Sequence, residues 1–142
     1  MNKGVAITGM GIISAIGNNV EENFHALKKS VHGISRVELI DTIQRDDFMV
    51  GEIKLTNDQL IEKLNLTESN NFSRTALLGV VAAKEAVKNA GIKDISNYRT
   101  GIISGTSVGG MDMTEKYYYE YLTEEAPRKY IESHHAGDST QK

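Results

Sequence analysis

Residues 5–19, VAITGMGIISAIGNN, decide which fold the sequence predicts. The apolar residues 5–7 are typical of a short buried strand. Gly9 and Gly11 follow, as in the turn that opens a dinucleotide-binding site, but that fingerprint needs a third glycine where Ser14 stands. The glycines are therefore predicted to let the chain turn sharply and pack closely.

Other parts of a nucleotide site are also missing from the sequence. An acidic residue about 20 positions after the glycines would hold the ribose, and Glu38, the nearest candidate, lies in a stretch predicted to be irregular. The Gly-Lys-Ser/Thr of a phosphate-binding loop is absent. A free-standing nucleotide-binding α/β domain is thus the least favoured of the functions considered, and no cofactor is predicted.

Helix signals recur along the chain between the strand signals. Asn19, with Glu22 three residues later, has the spacing of a capping box, and residues 56–59 predict a second helix start. Residues 73–90 carry apolar side chains at steps of three and four, which predicts a long helix whose apolar first half has close neighbours on several sides. Gly91 is expected to end it.

The later part of the chain predicts a second strand and a further helix. Residues 99–104, RTGIIS, have the strand pattern, and residues 111–123 the helical one. Four side chains of this helix are expected to be buried: Met111, Tyr118, Tyr119 and Leu122. Alternation of strands and helices predicts an α/β fold with a mostly parallel sheet flanked by helices, built as one domain over residues 1–142.

Composition disfavours several classes of function. The net charge of −3 offers no basic surface for nucleic acid, and the absence of cysteine removes disulfides, thiolate metal sites and a cysteine nucleophile. No apolar run approaches the roughly 20 residues that span a bilayer. His134 and His135, near Asp138, are adjacent and so point in different directions, and no metal site is predicted. We expect a cytoplasmic protein without a membrane partner.

Three stretches, taken together, resemble the start of a β-ketoacyl-acyl-carrier-protein synthase of the 3-oxoacyl-ACP synthase II type. Residues 5–35 are similar to that family's opening strand, glycine turn and first helix, and residues 73–92 to its buried helix. Residues 99–113, RTGIISGTSVGGMDM, are similar to the strand and Gly-Gly loop beneath its acyl pocket. The resemblance implies a thiolase-like fold, of which residues 1–142 would be an incomplete first half.

The same resemblance implies a decarboxylative Claisen condensation in fatty acid or polyketide synthesis. In the family, a cysteine takes an acyl group from a carrier thioester, and the decarboxylated malonyl unit then attacks that group. Two histidines help the decarboxylation and hold the thioester oxygen. Those three residues are expected beyond Lys142, so no catalytic residue is assigned here. For the full-length parent protein, of which residues 1–142 would be the first part, the resemblance implies two partners. These are acyl carrier protein and a second subunit, in a homodimer or heterodimer.

Only a substrate-lining site is carried over by resemblance. Val108 matches the apolar residue at the base of the family's acyl tunnel, and Gly109 and Gly110 match the paired glycines beside it. For Val108 ordinary core packing is the competing interpretation. Residues 130–138, YIESHHAGD, are mostly polar where family members usually have aromatic and proline residues that complete the acyl tunnel of the neighbouring subunit. The usual pocket for a long acyl chain is therefore not expected here.

Two further expectations follow from the resemblance. The chain is expected to be inactive alone, and to self-associate or to leave the residues from about Glu124 onward in a conformation foreign to the family. The alternative to an enzyme is the first half of a non-catalytic partner subunit that sets chain length. The residue at the parent's nucleophile position distinguishes these two.

Overall fold

The computed structural model describes residues 4–67 and 70–123. They form two compact units, one of residues 4–56 and 81–95 and the other of residues 57–80 and 96–123. In chain order the elements are α1 (Val20–Lys28), β1 (Ile34–Arg36), β2 (Met49–Gly51), α2 (Asn57–Leu64), α3 (Arg74–Asn89), a 3-10 turn (Ile95–Asn97) and α4 (Met111–Leu122). Helix α3 contributes its first half to one unit and its second half to the other.

The first helix begins at the predicted capping box. The Asn19 side-chain oxygen accepts the Glu22 backbone N–H at 2.8 Å. The Glu22 carboxylate reaches back to the Asn18 backbone N–H at 2.7 Å. Backbone donors at this helix end therefore have side-chain partners, and the predicted start is confirmed.

Helix α3 also begins and ends close to where the sequence predicts. The buried Ser73 hydroxyl accepts the Ala76 N–H at 3.2 Å, which makes Ser73 the N-cap. Gly91 has φ +70°, the left-handed conformation in which glycine follows many helix ends. The helix buries Leu77 and Val81, four residues apart, whereas Val80 remains 39% exposed.

The second unit takes its buried apolar side chains from three helices: Leu60 and Leu64 of α2, Leu77 of α3 and Met113 of α4. Polar contacts connect the same helices. The Asp112 carboxylate accepts the Arg74 backbone N–H at 2.7 Å, and the Arg74 guanidinium donates to the Asn57 side chain at 2.9 Å. A carboxylate at the first N–H of a helix is favourable because it faces the positive end of the helix dipole.

The expectation of a mostly parallel sheet is not confirmed within the described residues. Their one sheet is the antiparallel pair of β1 and β2, in which Ile34 lies opposite Gly51 and Arg36 opposite Met49. Residues 48–54, whose sequence predicts a short strand or an extended arm, contain strand β2. Strand β1 falls in a stretch predicted to be irregular, so that prediction was wrong.

Residues 5–7 and 99–104 were predicted to be strands, and neither segment is assigned to a strand in the described part of the chain. Ile7 is 85% exposed and Ile103 is 103% exposed. A parallel strand needs hydrogen-bonding neighbours and covered faces before its apolar run can be buried. The described residues give these two segments no such neighbours, which is the physical reason for the difference.

Helix α4 has the predicted limits but not the predicted buried face. Met113 is its buried apolar residue. The four side chains expected to be buried are at least 45% exposed: Met111, Tyr118, Tyr119 and Leu122. Periodicity correctly predicted the helix, but the wrong face was assigned to the interior. Among the described residues, no helix combines the length and the apolar character needed to cross a membrane.

Candidate functional site

The opening glycine loop, residues 8–17, lies directly against the second half of α3. A Cβ placed on Gly9 would lie 2.6 Å from the Ala90 nitrogen and would overlap the Ala86 carbonyl oxygen. A Cβ on Gly11 would lie 2.8 Å from the Ala86 nitrogen and would overlap the Ala82 carbonyl oxygen. These glycines are required because backbone meets backbone, as the sequence predicts.

Two polar side chains of α3 hold the same loop by its backbone. The Glu85 carboxylate accepts the Ile12 N–H at 2.9 Å and the Val20 N–H at 2.8 Å, one on each oxygen. The Asn89 side-chain oxygen accepts the Met10 N–H at 3.2 Å. Val20 is the first residue of α1, so Glu85 also satisfies a donor that has no partner inside that helix.

The far end of the loop closes on itself. The Ser14 N–H donates to the Gly17 carbonyl at 2.8 Å, and the Ile16 N–H donates to the Ser14 hydroxyl at 3.2 Å. The buried Asn23 amide donates to the Gly17 carbonyl at 2.9 Å. The Ser14 hydroxyl in turn donates to the Asn23 side-chain oxygen at 2.5 Å.

This pattern disfavours a phosphate site in the glycine loop. A phosphate-binding loop presents backbone N–H groups to its ligand. Here the N–H groups of Met10, Ile12, Ser14 and Ile16 all donate to atoms of the protein itself. The loop is thus built to join the chain to α3 and not to cradle a nucleotide.

The Gly-Gly loop before α4 belongs to the second unit. Gly110 has φ +76°, and its carbonyl accepts the N–H groups of Met113 and Thr114, each at 3.1 Å. It is thus the residue from which α4 starts, in a conformation that few other residues adopt. A Cβ on Gly109 would lie 2.8 Å from the Thr106 methyl carbon.

Val108, the third residue assigned to the acyl pocket by resemblance, is 65% exposed. Ordinary core packing, the competing interpretation, does not describe it in this structure. The role of Val108, Gly109 and Gly110 at the base of an acyl tunnel stays a prediction.

The titratable side chains in the described part of the chain give no candidate metal site. No group of three His, Asp or Glu residues there could hold a metal ion. His25 lies 3.8 Å from Glu21 on the surface of α1, which is the spacing of an ordinary helix pair. His134, His135 and Asp138 lie outside the described residues, as do residues 130–138 as a whole.

Comparison with known families decides the relationship. The model of the β-ketoacyl synthase N-terminal domain matches residues 2–138. The chain belongs to the β-ketoacyl synthase family. The predicted resemblance is confirmed, and the glycine loop packed on α3 is part of the region that the family model covers.

Three relatives show how much of a family member the chain represents. It is 35% identical over 130 residues to 3-oxoacyl-[acyl-carrier-protein] synthase 2 of Staphylococcus aureus strain N315, covering 90% of this chain and 31% of that protein. The protein of the same name from S. aureus strain MRSA252 is 34% identical over 127 residues, covering 88% and 30%. The one from Vibrio cholerae is 29% identical over 128 residues, covering 88% and 30%. The chain spans about a third of the length of these curated relatives.

Glu85 and Asn89, whose side chains hold the glycine loop, were not predicted from the sequence. A signal for them was available. Ala82, Ala86 and Ala90 recur at intervals of four, which places a small-residue stripe along one side of α3. The acidic and amide side chains at positions 85 and 89 flank that stripe, as expected where a backbone approaches a helix closely.

Paired substitutions on α3 and its loop test the close packing. Gly11→Ala is expected to destabilise the chain by about 1–3 kcal/mol, because the new methyl group overlaps the α3 backbone. Gly79→Ala is the control, since its Cβ would meet nothing within 4 Å among the described residues. Alanine is favoured over glycine inside a helix by about 0.5–1 kcal/mol, so this variant is expected to be more stable. Urea midpoints that move in the same direction would contradict the packing.

A second pair tests the left-handed glycine at the start of α4. Gly110→Val is expected to lower the free energy of unfolding by about 1–2 kcal/mol or more, because a β-branched residue is strained at φ +76°. Gly105→Val is the matched control, being in the same loop without a positive φ and with open space around its Cβ in the described structure. Melting temperatures that fall equally in both variants would show that position 110 does not specifically require glycine.

Proposed function

We propose that this chain supplies the N-terminal domain of a cytoplasmic β-ketoacyl-ACP synthase that elongates acyl chains by decarboxylative Claisen condensation. The match of residues 2–138 to the family's N-terminal domain carries the proposal. The two glycine loops support it. Gly9 and Gly11 have no room for a Cβ, and Gly110 has a positive φ, so both loops need glycine to adopt this backbone.

The proposed reaction divides into two transfers. A cysteine thiolate first attacks the carrier thioester, forming an acyl-enzyme and releasing the carrier thiol. Malonyl-carrier then loses carbon dioxide, and the resulting carbanion attacks the acyl-enzyme carbonyl. The cysteine leaves as thiolate, and the new carbon–carbon bond remains on the carrier as a β-ketoacyl thioester. Hydrogen-bond donors are needed where negative charge develops on the thioester oxygens.

The part assigned to this chain is structural and substrate-lining. It contains no cysteine, so the nucleophile must belong to another part of the whole protein. Val108 would line the base of the acyl tunnel, beside the backbone of Gly109 and Gly110. The proposed partner of the whole protein is acyl carrier protein, and its proposed assembly is a homodimer or heterodimer.

A non-catalytic partner subunit is the second candidate. Relatives of that kind lack the cysteine yet share the first part of the fold, so the glycine loops support both candidates equally. The residue at the nucleophile position of the whole protein decides between them. Cysteine there indicates an enzyme, and any other residue indicates a partner that shapes the tunnel.

The chain by itself is expected to form no condensation product, because the reaction needs a thiolate to hold the acyl group and no cysteine is present. The measurement is product formation from labelled acyl-carrier and malonyl-carrier proteins. Turnover above a control without protein would contradict the assignment.

A chimera tests whether the chain can serve as the N-terminal domain of an active synthase. This chain replaces the matching 130 residues of the S. aureus relative, whose remaining part is kept. If the chain is the N-terminal domain of a synthase, the chimera is expected to condense acyl and malonyl units, and Gly110→Val is expected to reduce the yield of folded enzyme. A folded chimera without turnover would favour the non-catalytic partner.

Self-association of the isolated chain is expected at micromolar concentration, because large apolar side chains on residues 5–7 and 102–103 are exposed. Ile103→Asn is expected to weaken the association seen by sedimentation velocity. Ile43→Asn is the control, because Ile43 is equally exposed at 102% but lies outside both segments. If the unsubstituted chain is monomeric, or if the two variants have equal effects, the exposed segments 5–7 and 102–103 do not drive self-association.

A further inference from the structure

A buried carboxylate holds the first part of the loop between β1 and β2. The Glu52 side chain, which directly follows β2, is only 2% exposed. One of its oxygens accepts the N–H groups of Leu39 and Ile40, each at 3.0 Å. The other accepts the Glu38 N–H at 2.9 Å. Three consecutive backbone donors thus converge on one anion, in the manner of a backbone nest.

A lysine completes the cluster. The Lys54 ammonium lies 3.3 Å from the Glu52 carboxylate and 2.9 Å from the Glu38 carboxylate. It also donates to the Ser35 hydroxyl at 2.8 Å. The negative charge of Glu52 is thereby paired, and the lysine connects the residues that flank the loop on both sides.

Apolar burial does not explain the order of this loop. Val37 is buried at its start. The other large apolar side chains are 40% to 102% exposed: Leu39, Ile40, Ile43 and Phe48. Fixing the backbone of each residue costs about 1–2 kcal/mol, so polar contacts must offset much of that cost here.

A second polar contact of the loop, between Arg36 and Asp46, is weaker. The Arg36 guanidinium donates to the Asp46 carbonyl at 2.7 Å and lies 3.3 Å from the Asp46 carboxylate. Both side chains are well over half exposed. Exposed ion pairs contribute little because water screens them. The Glu52 cluster is therefore the principal polar anchor of the loop.

The electrostatics agree with this geometry. Burial acts to raise the pKa of Glu52, but the backbone N–H donors of Glu38, Ile40 and Leu39 and the Lys54 ammonium outweigh it and lower the pKa from 4.5 to about 2. The hydrogen bond to Glu38 raises the pKa of Lys54. Both groups of the pair thus keep their charges more firmly than free side chains do.

We propose that Glu52 is a conformational lock for residues 37–48, the internal anion around which residues 38–40 fold. A carboxylate can accept all three backbone N–H groups and the ammonium at once, which a neutral amide of the same shape cannot do. Neutralising Glu52 releases the loop while α1 and α3 keep their own contacts.

Glu52→Gln in the full chain tests the lock by amide hydrogen exchange. The amides of residues 38–40 are expected to exchange about tenfold faster or more, since their shared acceptor is lost. The amides of Ile12 and Val20, held by Glu85 in the same unit, are expected to be unchanged. Unchanged protection at residues 38–40 would overturn the lock. Equal acceleration at all five positions would also overturn it, because Glu52 would then support the whole unit.

The matched control is Glu38→Gln, which removes the exposed partner of Lys54 and leaves the nest intact. It is expected to change exchange at residues 38–40 by less than about twofold. A change as large as that caused by Glu52→Gln would assign the anchoring to the surface ion pair and refute the lock.

Carboxyl NMR of the unaltered chain gives a readout that needs no variant. A folded pKa below the unfolded value of 4.5 means that the lock contributes stability above about pH 4.5 and loses it as the pH falls toward about 2. The Glu52 carboxyl is therefore expected to be ionised still at a pH of about 3. A carboxyl already protonated there would contradict the proposal.

Discussion

The first unit depends on the close contact between the glycine loop and α3. Gly9 and Gly11 bring the loop backbone onto the alanine stripe at Ala82 and Ala86, at a distance that leaves no room for a Cβ. Glu85 then fixes both the loop and the first turn of α1 through its two oxygens. Because one side chain serves two segments, a shift of α3 would disturb the loop and the helix together.

The sequence predicted the local elements well because their signals are local. The Asn19 capping box and the left-handed Gly91 each depend on a few neighbouring residues, and the structure has both. The close packing of the glycines was predicted by elimination, since Ser14 breaks the nucleotide fingerprint. Strand β1 was missed because three residues with the pattern exposed, half-buried, exposed give little periodicity to recognise.

The sheet and the buried faces could not be predicted in the same way. An apolar run such as residues 102–103 indicates a strand only if neighbouring strands supply backbone partners and cover both faces. Which strands do so is a property of the whole fold, and the chain spans about a third of its relatives' length. The face of α4 was misassigned for a related reason: Tyr118 and Tyr119 suit a core or an interface equally well, and periodicity cannot say which. The acyl-pocket role of Val108 depends on the same surroundings.

Carboxylates bound to backbone N–H groups recur through both units and give the chain a common mode of anchoring. Glu22, Glu52 and Glu85 each hold a loop or a helix start in the first unit, and Asp112 holds the start of α3 in the second. A carboxylate suits such contacts because both of its oxygens accept hydrogen bonds, whereas a protonated carboxyl donates from one of them. Few apolar side chains are fully buried in the described residues, so these acceptors have a larger share in fixing the backbone than they would around an extensive core. Part of the acidic charge of the chain is therefore structural.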